Sequence, residues 1–142
     1  MKFIRIFFIT LIFSLSSHIA SYANQSVEEI IKGRKAMFSE NYQNAKKISI
    51  LLKSNKIEEA KPLMKKMSDN YKKLLDYFPE NTKEGFKTEA LPSIWESKDE
   101  FNALMQKASE DMIKLAKAID TADDLGAAQK KLMWNNCSAC HK

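Results

Sequence analysis

Ile31, Arg34, Phe38, Asn41, Ala45, Ile48 and Leu52 follow one another at alternating steps of three and four residues. That rhythm, sustained over several turns, puts all of them on one face of an α-helix and calls for partner helices to cover it. Ser26-Val27-Glu28-Glu29 just before it has the S-x-x-E form of a capping box, in which Ser and Glu satisfy each other's free amides; Ser54-Asn55 closes the stretch. A second run carries Ala60, Leu63, Met67, Tyr71, Leu74 and Phe78, with Pro62 near its start, and ends at Phe78-Pro79. After a polar loop containing Gly85, Pro92 suits the first turn of a third helix, with Ile94, Phe101, Leu104, Ala108, Met112, Leu115 and Ile119 turned inward. A fourth helix is expected from about residue 125 to the end of the chain. Only 3 Gly and 3 Pro occur among 142 residues, too few for the frequent turns of an all-β fold. The expected fold is all-α, an antiparallel four-helix bundle, with Met64, Met67, Met105, Met112 and Met133 read as core.

The first 23 residues read as a cleaved secretory signal peptide. Lys2 and Arg5 make a positive start, residues 6–15 an apolar core, and Ser21-Tyr22-Ala23 a small-residue cleavage site. An apolar core of about ten residues is short of the ~20 that a spanning helix needs, so no membrane partner is expected after cleavage. One domain, residues 24–142, then remains. Losing Lys2 and Arg5 takes the basic residues from 23 to 21 against 18 acids, so the net charge falls from +5 to +3. Spread along the helices, this charge describes a solvated surface and no nucleic-acid partner.

The chain ends Cys137-Ser138-Ala139-Cys140-His141-Lys142, and His141 is the single histidine of residues 24–142. C-x-x-C-H is the attachment pattern of c-type haem. Two thiols must add across two vinyl groups on one porphyrin edge, and an imidazole beside them must reach the iron. On a helix Cys137, Cys140 and His141 fall within about one 100° sector. A thioredoxin-like pair would need a preceding strand, a structural zinc site four ligands, and a plain disulfide would leave the adjacent histidine an accident. Export favours haem independently, because bacteria attach c-type haem after translocation.

The mature chain resembles the cytochrome c′ family. The resemblance rests on Ile31-Lys32-Gly33-Arg34-Lys35-Ala36-Met37-Phe38, Phe78-Pro79, Thr88-Glu89-Ala90-Leu91-Pro92-Ser93-Ile94-Trp95 and the terminal motif, in that order. It implies a four-helix bundle in the periplasm of a Gram-negative bacterium, with one haem c per chain. Cys137 and Cys140 would hold the haem covalently and His141 would be its axial iron ligand. The resemblance also implies Arg34, Lys35 and Glu89 around the haem, and a homodimer formed through first-helix faces. The family usually continues its last helix beyond the histidine. With Lys142 the final residue here, the proximal side is expected to be more open.

The opposite face of the iron divides the family. A first-helix Met there makes a low-spin electron carrier, and an apolar residue leaves a five-coordinate, high-spin iron open to small gases. The family's deciding position, four residues after the first-helix Arg, is Phe38. The helical seam agrees, because Arg34 and Phe38 share its inward face one turn apart, whereas Met37 is rotated by about 100°. The expectation is a distal cap by Phe38, binding of NO or CO with discrimination against O2, and electron transfer with a redox partner. Sixth-position ligation by Met37 is the alternative. A cation in the seam, Arg34 calls for an anion, a haem propionate or an interhelical carboxylate. Trp95 reads as packing. Peroxidase-type enzyme activity lacks a distal histidine as general base. A haem-free thiol or metal module is the remaining reading of the motif.

Overall fold

The structure, a computed structural model, describes residues 25–141. The signal segment, residues 1–23, lies outside the described residues, as does the start of the domain expected at residue 24. Helix α1 spans Val27–Lys53 and opens with the capping box: Ser26 Oγ accepts the Glu29 amide at 3.2 Å while the Glu29 carboxylate accepts the Ser26 amide at 2.7 Å. At its end Asn55 takes φ 57, a left-handed turn that asparagine tolerates, and the Lys56 amide returns to the Leu51 carbonyl at 2.8 Å. Helix α2, Ile57–Leu74, therefore starts at once and runs back along α1. Pro62, in its second turn, is exposed.

A long connection follows. It contains one 3-10 turn, Glu80–Thr82, and leads to a single-turn helix, α3, Ser93–Glu96. The third helix expected as one piece from Pro92 is broken at Ser97 (φ −122°, ψ 52°), and the long helix α4 is Lys98–Ala118. The break has a visible cause. The Trp95 indole N–H is held by the carbonyls of Phe78 at 3.1 Å and Pro79 at 3.3 Å, so α3 is tied to the end of the α2 connection instead of to α4.

The last rod begins with α5, Leu125–Gln129, whose N-cap Asp124 accepts the Ala127 amide at 2.9 Å. It continues through a π-wound turn, Lys130–Trp134, into α6, Asn135–Cys140. One uniform helix was the expectation from the sequence; the wider turn rotates everything after it. Among the described residues there is no strand, and no helix is long and apolar enough to cross a membrane.

The core lies along α2 and α4, where Met64, Met67 and Leu74 face Met105, Met112 and Leu115, all essentially inaccessible. Met64 and Met105 occupy depths that the three-four count gave to Leu63 and Leu104, which are half-buried. A helix packed against two neighbours buries a stripe wider than one seam. Polar pairs cross this core too. The hydroxyls of Ser68 and Ser109 meet at 2.8 Å between α2 and α4, and Gln129 of α5 donates to the Ser49 hydroxyl of α1.

One polar anchor fixes α6. Asp111 on α4 is 3% exposed; it is paired with Lys107 and Lys114, and it accepts the Asn136 amide at 3.2 Å, whose other N–H contact is the Leu132 carbonyl. Burial pushes the carboxyl's pKa up, but the bonds from Lys107, Asn136 and Lys114 outweigh it and hold it below its ordinary value. The anchor's contribution is therefore present above the unfolded carboxylate pKa, about 3.9, and is lost as pH falls through the lower folded value. Asp111→Ala should cost about 1–3 kcal/mol at neutral pH. Urea titrations should show this gap holding above about pH 5 and closing in stronger acid.

Candidate functional site

A cavity of about 510 Å³ opens between α1, the α2–α4 connection, the start of α4 and the end of α6. This is within the size range of small-molecule and cofactor sites, about 300–1,000 Å³. Its walls are apolar: Phe38 from α1, Phe78 from the connection, Ile94 from α3, and Phe101, Leu104 and Met105 from α4. The rings form an edge-to-face set, with Phe78 at 4.7 Å from Phe101 and 6.4 Å from Phe38 between centroids. Lys35, Glu89, Leu91 and Glu100 also line it, and Ala139, Cys140 and His141 supply the α6 side.

Arg34 shapes one end. Only 3% exposed, its guanidinium donates to the Tyr77 carbonyl at 3.3 Å, to the hydroxyl and carbonyl of Thr82, each at 3.0 Å, and to the Thr88 hydroxyl. It also lies over the Phe78 ring, 4.7 Å from the centroid. All these acceptors are neutral, and no carboxylate is within ion-pair distance among the described residues. Burial accordingly lowers its pKa. Gly33 makes the arrangement possible: a Cβ there would come 2.6 Å from Tyr77 Cε1, so only glycine lets the Tyr77 ring lie this close to α1. Lys35 holds the next part of the connection through the Lys87 carbonyl at 3.0 Å. There the chain turns through three successive left-handed residues, Gly85, Phe86 and Lys87, with φ of 89, 47 and 55.

The terminal motif is divided between two environments. Cys140 and His141 line the cavity, and the His141 amide closes α6 on the Cys137 carbonyl at 3.2 Å. Cys137, one turn earlier, is half-buried with its thiol directed at the Met133 carbonyl, 3.8 Å away, and beside the Tyr71 hydroxyl. Both cysteines are free, and desolvation raises both thiol pKa values. Tyr71 partly offsets this at Cys137, and Cys137 adds to it at Cys140. Tyr71, buried on α2, is itself pushed well above an ordinary tyrosine, chiefly by burial and then by the two cysteines.

Of the residues singled out from the sequence, Arg34, Lys35, Phe38, Glu89, Cys140 and His141 line one cavity. Met37 does not; it is half-buried against the core. Trp95 is core, pinned by its indole N–H. Met105, read only as packing, lines the cavity as well as filling the core. Local spacing marked Tyr71 only as an inward-facing helix position and did not mark Thr82 or Thr88, because their roles come from contacts between segments far apart in sequence.

The donor set suits a broad, flat, apolar ring that carries a metal and carboxylates. There is an aromatic slot, a thiol and an imidazole on one helix end, and a buried cation without a counter-charge. By contrast, among the described residues no three His, Cys, Asp or Glu side chains converge as a zinc site would need. Fold and site together define a haem protein of the c type built on a four-helix bundle. The family model described as Cytochrome C' matches residues 29–142. A cytochrome c' of Rhodopseudomonas palustris (strain ATCC BAA-98 / CGA009) is 32% identical over 122 residues, covering 80% of this chain and 79% of the relative. The chain belongs to the cytochrome c′ family, and haem c is the cofactor that membership implies.

Arg34→Met should remove the donor that the Thr82 carbonyl and the Thr82 and Thr88 hydroxyls share. In haem-free protein we expect a loss of about 2 kcal/mol in denaturant titrations. Amide exchange should quicken first at Thr88 and Ala90, whose amide now rests on the Thr88 hydroxyl at 3.2 Å.

Proposed function

We propose that this chain is an exported cytochrome of the Gram-negative periplasm that carries one haem c, transfers electrons, and binds NO or CO at a five-coordinate, high-spin iron. When bound, the haem supplies a one-electron couple and an iron site for diatomic gases. Cys137 and Cys140 would hold it through two thioethers, and the His141 imidazole would ligate the iron. Arg34 would give its unbalanced charge to a propionate, with Lys35 and Glu89 at the periphery.

The observation that carries the reading is the position of Phe38. Its ring faces the cavity shared by Cys140 and His141, and the Met37 thioether does not. Phe38 packs edge-on to Phe78, which limits its freedom to swing aside. A phenyl ring offers no hydrogen bond to bound O2, and NO and CO depend less on one. The cavity-lining donors of α1, Arg34 and Lys35, are both turned to the α2–α4 connection. With His141 as ligand, residues 24–142 hold no second imidazole for a peroxidase-type base. Exposed Tyr42 and Ile50 on α1 supply apolar area for a homodimer. The redox partner would be a protein meeting the cavity mouth.

The electronic spectrum tests the proposal. A Soret band should survive acid-acetone extraction, the ferric protein should be high-spin, and NO should bind the ferrous form more tightly than O2. Met37→Ala should leave the ferric spectrum unchanged. A low-spin ferric spectrum with a sulfur-to-iron band that disappears in Met37→Ala would sink the Phe38 assignment. The same band lost only in Met105→Leu would move the ligand to α4. A colourless protein with reactive thiols would favour the haem-free module.

A further inference from the structure

Two cations share the Phe78 ring. Arg34 Cζ lies 4.7 Å and Lys98 Nζ 5.4 Å from its centroid, and Lys98 is also 5.4 Å from the centroid of Phe101. Both rings wall the cavity. Lys98 is the first residue of α4, where the helix dipole disfavours a positive charge; Asp99 and Glu100, the next two residues, are what that position favours. Its ammonium is half-buried and donates to the Phe78 carbonyl at 3.1 Å, and no carboxylate is within ion-pair distance among the described residues. The nearby Glu80 is paired with Lys83 at 2.5 Å. Burial lowers the Lys98 pKa most; Glu80 partly restores it, Arg34 lowers it further, and Asp76 raises it by less than either. A lysine so placed gains little for its own helix, but it sets a second weakly compensated charge behind the aromatic wall.

We propose that Lys98 is a redox-tuning residue, whose charge, acting with Arg34 across the Phe78–Phe101 wall, holds the potential of the group in the cavity more positive. The inference rests on the haem reading above. An electron added from an external one-electron donor lowers the charge of the site by one unit. An adjacent cation in a poorly solvated setting stabilises the reduced form relative to the oxidised one. A cation behind two rings is also less exposed to counter-ions than a surface lysine.

The experiment is a potentiometric titration of the haem-loaded full chain as wild type, Lys98→Met, Lys98→Arg and Lys47→Met, an exposed control on α1. Lys98→Met should lower the ferrous-to-ferric ratio at fixed potential about tenfold, equivalent to about 59 mV for one electron. Lys98→Arg should stay near wild type. The Lys98→Met shift should persist between about 0.1 and about 1 M salt, where the Debye length contracts from about 10 to about 3 Å, whereas any Lys47→Met shift should vanish. If Lys98→Met fails to hold haem, Lys98→Gln, which keeps a donor for the Phe78 carbonyl, takes the same measurement. A shift no larger than that of Lys47→Met, or one abolished by salt, overturns the role of Lys98 alone. A wild-type protein without covalently held haem overturns the haem reading, and this proposal with it.

Discussion

A guanidinium buried to 3% exposure must be surrounded by oxygens, and α1 has none to give Arg34. They come from the α2–α4 connection, at Tyr77, Thr82 and Thr88. Satisfying this one cation therefore folds a long irregular segment back onto α1. The fold of the connection then places Phe78 against Phe101 and presents the carbonyls that hold Trp95 and Lys98. The cavity exists because these pieces are held apart from α6 by a polar frame instead of collapsing on one another.

The other end has its own frame. Asp111 draws Asn136 toward α4, and the π-wound turn before it sets the rotation at which Cys140 and His141 meet the cavity. The two frames share no residue. The end that would receive carboxylates and the end that would receive thioether and imidazole bonds can therefore respond to change separately. Between them lies an aromatic and aliphatic slot whose shape depends on both.

Sequence periodicity made α1 legible almost residue by residue. Ile31, Arg34, Asn41, Ala45, Ile48 and Leu52 are buried as the three-four steps require. Phe38, on the same seam, is half-buried because its neighbour is a cavity. The same count misjudged depth at Leu63 and Leu104, where helices with two neighbours bury Met64 and Met105 more deeply. It could not show the break at Ser97, beside a Trp95 indole held from a distant segment, or the wide turn at Lys130–Trp134. The terminal motif pointed to haem attachment, yet not to Cys137 resting against Tyr71 while Cys140 faces the slot. Arg34 advertised the need for an anion, but its neutral cradle is a tertiary fact.

Gly33 sets local helix strength against the site. By propensity alone it is the weakest residue of α1, in the helix's second turn, and exchanging it for alanine should firm that helix by about 1 kcal/mol. The added methyl would meet the Tyr77 ring, whose backbone carbonyl steadies Arg34. Selection for a stiffer α1 and selection for an intact pocket therefore pull in opposite directions at this position. The methyl that strengthens the helix also displaces the ring, and both effects register in the stability of the protein without its cofactor.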